Sequence, residues 1–341
     1  DCVEIEDFAV FGSCVEMNCD APIANEPWRR ELKPIRLLRA SNCLDHCLVM
    51  PGVVVGEAAV LGTRTLAHAG ACFPPDSIST GCVRGRSVLL RTEASLSTPP
   101  KDRALELLTM RKIESRLHWG AFNCAQVGSA FVAYSLPNSA WVLASSALQA
   151  TMMFLEPEVH DAILSEGIDT DFELGSSLPL SLYLAVWMGC FCIVEIGLLL
   201  CCVVMKWAVI GRFSDTNHPF FSSFHYRWTI MLNFKGAMSP LSHLLSGTAF
   251  NIWFYRAMGA KVGENAYLDG IALEYDLLEV GDRAAINADC DATAHTVERM
   301  VLKMAYVRVG EDSAMLPGSV VMPGALLEPG ALLLERSQVL K

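Results

Sequence analysis

From Cys43 onward every sixth residue is small or apolar: Cys43, Val49, Val55, Leu61, Ala67 and Phe73. Glycine follows two of these directly, in Val55-Gly56-Glu57-Ala58-Ala59-Val60 and Leu61-Gly62-Thr63-Arg64-Thr65-Leu66, and residues 5–15 have the same texture. The rhythm returns near the other end, in Val309-Gly310-Glu311-Asp312-Ser313-Ala314 and then at Met315, Val321, Leu327 and Leu333. Pro317-Gly318, Pro323-Gly324 and Pro329-Gly330 recur at one phase of it, and further copies open with Val262-Gly263 and Val280-Gly281. A period of six is neither the 3.6 of a helix nor the 2 of a half-buried strand. It predicts a flat strand followed by a sharp corner, with the apolar residue inward, the small residue at the bend and three sides to each coil. Stacked coils bury one continuous core and pair each strand with the coil above and below.

Between the two repeat regions the pattern becomes continuously apolar. Residues 178–205 carry a single charge, Glu195, and are long enough as a helix to cross a bilayer. A second apolar region, 119–155, is interrupted by Pro137-Asn138, where a break is expected. Lys101, Arg103, Arg111, Lys112 and Arg116 precede it, Lys206 and Arg212 follow the later span, and 156–173 between them is acidic with no Lys or Arg. The excess of positive charge on the cytoplasmic side then favours one crossing in each region, with 119–136 interfacial or a half-span, the acidic loop outside and both repeat regions in the cytoplasm; a two-span hairpin in 119–155 would put the repeat regions on opposite sides. Residues 238–259 form an amphipathic stretch with Trp253, Phe254 and Tyr255 beside Arg256, which reads as an interfacial helix or as a cap on the second stack.

Composition agrees with a membrane protein: 52% of residues are hydrophobic, 18% are charged and mean hydropathy is +0.35. The net charge of -11 argues against a nucleic-acid partner. The 13 cysteines show no zinc-type pairing and lie mostly among small apolar residues, so neither a metal nor a disulfide framework is expected. The chain opens inside a patterned segment without a secretory signal, and the second repeat region stops mid-pattern at Lys341; both lead us to expect a piece of a longer protein.

The candidate chemistry lies where the second rhythm is interrupted, after His295 and before Val307, because an interruption expels a loop from one corner of a stack. A histidine beside such a loop suits general-base work, since its pKa lies near neutrality. Asn287 is placed to orient a carbonyl or support an oxyanion, and Asp276 or Asp289 to fix the imidazole tautomer. On spacing alone a corner histidine that merely satisfies backbone groups is the slightly favoured reading. The remaining histidines read as corner, turn or interfacial residues.

The run Lys206-Trp207-Ala208-Val209-Ile210-Gly211-Arg212-Phe213, then His218-Pro219-Phe220-Phe221-Ser222-Ser223 and Tyr226-Arg227-Trp228, resembles a known family. So do Gly247-Thr248, Arg256-Ala257-Met258-Gly259-Ala260-Lys261-Val262-Gly263, and residues 287–295. They are similar to the C-terminal membrane region of nonribosomal peptide synthetases of the poly-lysine synthetase type. That resemblance implies a mixed fold: two left-handed parallel β-helix (hexapeptide repeat) domains joined by transmembrane α-helices. It implies an amide-forming acyltransferase-like region that takes an acyl or aminoacyl group from a phosphopantetheine or CoA thioester, with a carrier protein or CoA as donor and an amine as acceptor. His295 matches the family's loop histidine and Asn287 its preceding asparagine; Asp276, Asp289, Glu298 and Arg299 become candidate substrate-binding residues. Asp289 and Asp291 depart from the small residues the family carries before the histidine, and the first stack has no equivalent loop. The first stack is then structural, or faces the second as part of a pseudo-trimer or a self-association.

The expected organisation is a first repeat domain over 1–100, a membrane region over 101–212 with a basic lead-in helix, an interfacial linker and helix over 213–259, and a second repeat domain over 260–341. A non-enzymatic membrane scaffold that uses its stacks for assembly is the alternative function.

Overall fold

The computed structural model describes residues 2–12, 14–23, 26–83, 86–91, 105, 109, 116–165, 177–238, 245–298 and 300–340. In the first repeat region three sheets are visited in rotation. Val3–Ile5, Ile35–Leu37, Val54–Val55 and Cys72–Phe73 form one; Val10–Phe11, Asn42–Cys43, Val60–Leu61 and Ile78–Val83 the second; Glu16–Met17, Leu48–Val49 and Leu66–Ala67 the third. All these pairings are parallel, with registers such as Leu37↔Val55, Cys43↔Leu61 and Val49↔Ala67. One turn is lengthened by the antiparallel hairpin of Asp20–Ile23 and Glu26–Leu32. Cys43, Val49, Val55, Leu61, Ala67 and Phe73 are all buried, in a core that this stack keeps to itself.

The corners are made differently from the expectation. The residues in left-handed backbone conformation are Ala40, His46, Gly52, Ala58, Arg64, Gly70 and Asp76, again six apart, and most are not glycine. Gly56 is not one of them; it is required because a Cβ there would stand 2.6 Å from the Phe73 carbonyl oxygen of the next turn. Gly281 in the second stack is alike, with Glu311 N 2.5 Å from where its Cβ would be. The glycine after the inward residue therefore serves close stacking of turns, and the bend falls two residues later.

The second stack repeats the rotation. Lys261–Val262, Leu278–Val280, Val307–Val309 and Leu326–Leu327 form one parallel sheet, and Tyr267–Leu268, Ala285–Ile286, Ala314–Met315 and Leu332–Leu333 another. The third side is Ile271, Asp291 and Val320 joined by parallel bridges, with Val320–Val321 pairing Gln338–Val339. The interruption is an antiparallel hairpin, His295–Glu298 with Val301–Met304. Its outer edge is paired by Asn217–Pro219, so the Asn217-His218-Pro219 segment is a strand of this small sheet rather than a free turn.

Between and beside the stacks run helices α1 (Arg116–Ser165), α2 (Ser177–Val209), α3 (Ser223–Met238) and α4 (Ala249–Met258). Helix α1 runs unbroken through Pro137 for 50 residues, about 75 Å at the usual rise. The expected break is absent: Asn138 Nδ2 donates to the Tyr134 carbonyl at 2.9 Å within that turn, and Trp141 just beyond packs on Trp187 and Phe191 of α2. The nearer half of α1 packs instead on α3 and the turn before it, through Trp119 against Phe221 and Phe122 against His225 and Tyr226. Among the described residues one stretch, Leu184–Val209 of α2, is long and apolar enough to cross a membrane, with mean hydropathy 2.5. Glu195 within it is buried among protein groups.

Helices α2, α3 and α4 share one core with the second stack, so 213–259 is more than a linker. Lys206 at the end of α2 is fully buried and pairs with Asp276 Oδ2 at 2.7 Å, and the Phe213 N–H donates to the same oxygen at 3.1 Å. Helix α4 caps the first turn of the stack, with Asn251 Nδ2 donating to the Leu268 carbonyl and the Tyr255 hydroxyl to that of Gly270, each at 2.9 Å. The two stacks also touch each other. Arg64 donates through Nη1 to the Gly318 carbonyl and through Nη2, at 3.1 Å, to that of Asp289, and Gln338 Nε2 donates to Thr80 Oγ1 at 2.9 Å.

Candidate active site

His295 opens the inserted hairpin and lines a groove of about 230 Å³ between the two stacks. Phe11, Asp45 and Thr63 of the first stack form one wall; Asp291, Thr293 and Val321 of the second form the other. The imidazole is 16% exposed and its Nδ1 lies 2.9 Å from Glu274 Oε1, whose side chain is 0% exposed. The ring N–H is not aimed along that line, so the contact is a close charge pair rather than an aligned hydrogen bond. Glu274 sits just before a single 3-10 turn, Tyr275–Leu277, that breaks the six-residue rhythm and turns the carboxylate inward. Trp228 Nε1 donates to Oε1 at 2.9 Å and the Ala294 N–H to Oε2 at 3.1 Å, which leaves the carboxylate charged and fixed. The Trp228 ring meets the imidazole edge to face at 5.0 Å.

Two opposed effects set the protonation of this pair. Burial acts to lower the His295 pKa; the Glu274 carboxylate beside it, with Asp291 and Asp45 adding negative potential, outweighs burial and holds it above the ordinary 6.5. Burial acts to raise Glu274, and the imidazolium, Trp228 and the Ala294 N–H outweigh it, so Glu274 lies below 4.5. Asp45 belongs to the first stack, so that stack contributes to the electrostatics at His295. Lys235 of α3 lies close by, donating to the Ala272 carbonyl at 2.7 Å and standing over the Tyr275 ring; burial pushes its pKa down to about 8, with Glu274 opposing.

The other expected site residues lie apart from His295. Asn287 Nδ2 donates to the Met315 carbonyl at 2.7 Å and so ties one turn to the next instead of facing the groove. Asp276 is engaged by Lys206, and Asp289 occupies a left-handed corner whose carbonyl receives Arg64. The partner of the imidazole is therefore Glu274 rather than either aspartate. Glu298 pairs with Lys303 at 2.8 Å within the hairpin, and Arg299 lies outside the described residues. His225, expected at an interface, is buried between Phe122 and Phe220, and burial pushes its pKa down to about 4. Glu274 was missed because nothing in Leu273-Glu274-Tyr275-Asp276 marks one acid over the other; Trp228 stood inside the family-like run and was the available signal.

A wider cleft of about 1120 Å³ adjoins the groove: the consecutive residues Asp45 and His46, and Thr63 and Arg64, line first one and then the other. Its walls mix Leu90 and Leu340 with Arg64 and Arg336.

Over 137 residues, 39% of this chain, the sequence is 28% identical to the delta-poly-L-ornithine synthetase of Acinetobacter baumannii (strain AB307-0294). Along that stretch the chain is related to a poly-amino-acid synthetase. The match spans 10% of that relative's length. No family model matches the chain, and no solved structure does.

Proposed function

We propose that this chain is a membrane-anchored, amide-forming part of a synthetase, which transfers an acyl or aminoacyl group from a phosphopantetheine or CoA thioester to an amine. The observation that carries the reading is His295, 2.9 Å from the buried Glu274 carboxylate, in a groove that both stacks build. The two three-sheet stacks are read as left-handed parallel β-helices that face each other within one chain, so that the first completes the site of the second. The wider cleft, lined by Leu90 and Leu340 together with Arg64 and Arg336, suits an extended thiol-bearing arm that is part apolar and part polar. The thioester carbonyl then lies by His295 and the acceptor amine enters the smaller groove.

In the reaction the amine nitrogen attacks the carbonyl carbon, a C–N bond forms and the C–S bond breaks. His295 Nε2 takes the proton from the attacking nitrogen and returns it to the departing thiolate sulfur. Glu274 holds the ring and stabilises the imidazolium that forms meanwhile. Because a base must start neutral, turnover rises as pH climbs through the folded pKa of His295, above 6.5. The contacts between the stacks support a reading with both on one side of the bilayer, and flanking charge favours the cytoplasm as that side.

The test is His295→Ala in the full chain, supplied with an aminoacyl-pantetheine thioester and an amine. Amide formation is expected to fall on the order of 100-fold or more while helicity and membrane association persist. Unchanged turnover sinks the assignment.

A further inference from the structure

Helix α4 carries large apolar side chains on both of its faces. The inner face buries Phe254, Tyr255 and Met258 against the second stack. Phe250 and Trp253 on the outer face are 59% and 61% exposed, and their rings meet edge to face at 5.3 Å. Residues 250, 253 and 257 share one stripe by helical spacing. At 257 that stripe meets Trp207, whose Nε1 donates to the Ala257 carbonyl at 2.9 Å. Trp207 is itself 40% exposed and lies at the end of the apolar run of α2. The three aromatic side chains thus continue the apolar surface of α2 sideways onto α4. Arg256, the cation of α4, is exposed but engaged: its guanidinium donates to the Val262 and Gly263 carbonyls at the start of the stack.

We propose that the Phe250–Trp253 face of α4 seats in the headgroup–acyl boundary of the bilayer that α2 crosses, beside Trp207. Amphipathic indole and large apolar rings favour that depth, and no anionic lipid is needed because the outer face offers no free cation among these residues. The second stack is then held to the membrane at two points: the buried Lys206–Asp276 pair at the end of α2, and α4 under its first turn. A groove held in this way keeps a fixed height above the bilayer.

This inference rests on reading α2 as a span, and the experiment separates the two. A nitroxide is attached through p-acetylphenylalanine, which leaves the native cysteines alone, at position 250, 253, 200 or 311 of the full chain in phosphatidylcholine nanodiscs. Collision rates with oxygen and with a water-soluble nickel chelate are then compared. Labels at 250 and 253 are expected to favour oxygen, at a depth between the exposed α2 position 200 and the solvent position 311. Labels at 250 and 253 that match 311 overturn the proposal while leaving the span intact. Low accessibility to both probes means that protein, such as a second copy, covers the face, and overturns it too. An aqueous reading at 200 removes the span and the proposal with it.

Discussion

Replacing Glu274 with glutamine keeps the shape of the side chain and removes one charge from a pair whose members are 0% and 16% exposed. Removing one partner of a buried ion pair costs about 3–5 kcal/mol. Glutamine retains an oxygen for one of the two N–H donors, Trp228 Nε1 or the Ala294 N–H, so the expected loss lies at the lower end, about 3 kcal/mol. Its pH dependence has a definite sign. The folded pKa of His295 is raised above 6.5, so its contribution is full below that value and is lost as pH rises through the folded pKa. The folded pKa of Glu274 lies below 4.5, so its contribution is present above that value and lost as pH falls through the folded pKa. Wild type and Glu274→Gln should therefore differ most near about pH 5.5, between the two ordinary values, and converge at a pH above the folded pKa of His295. Denaturant unfolding of the purified full chain in detergent, at both pH values, measures this. A difference below about 1 kcal/mol at the lower pH, or one that grows with pH, refutes the argument that the pair is charged and buried.

Two further outcomes follow from the same geometry. Arg64→Met removes the donors to Gly318 and Asp289 that span the stacks, and turnover of a thioester and an amine should drop about tenfold with secondary structure intact; full turnover means the first stack does not complete the site. Gly281→Ala drives a Cβ onto the Glu311 backbone of the neighbouring turn and should destabilise the second stack by about 2 kcal/mol in thermal unfolding, whereas a change within about 0.5 kcal/mol would show that the turns can separate.

The inward positions of both stacks were legible because burial repeats with the chain: Cys43, Val49, Val55 and their successors need no knowledge of distant contacts. The role of Gly56 was not, since the reason for it is the Phe73 carbonyl one turn away. Pro137 misled because a proline reads as a break, while packing of Trp141 on Trp187 and Phe191 holds the helix on its course. At the site, His295 was visible as the residue where the rhythm stops. Its partner was not, because Glu274, Trp228 and Asp45 come from three separate parts of the chain, and only the packing of α3 and the first stack on the second brings them together. The pairing of Asp276 with Lys206 was likewise hidden by a separation of 70 positions along the sequence.

The central claim is that a thioester carbonyl comes to rest against His295 Nε2 in the groove between the stacks. A bromoacetyl-pantetheine carries an electrophilic carbon close to that position, and the modified residue is read by peptide mass spectrometry of the full chain in detergent. Alkylation of His295 is expected, faster as pH rises through its folded pKa and suppressed by excess pantetheine. Alkylation confined to cysteines, with His295 untouched across that pH range, would contradict it.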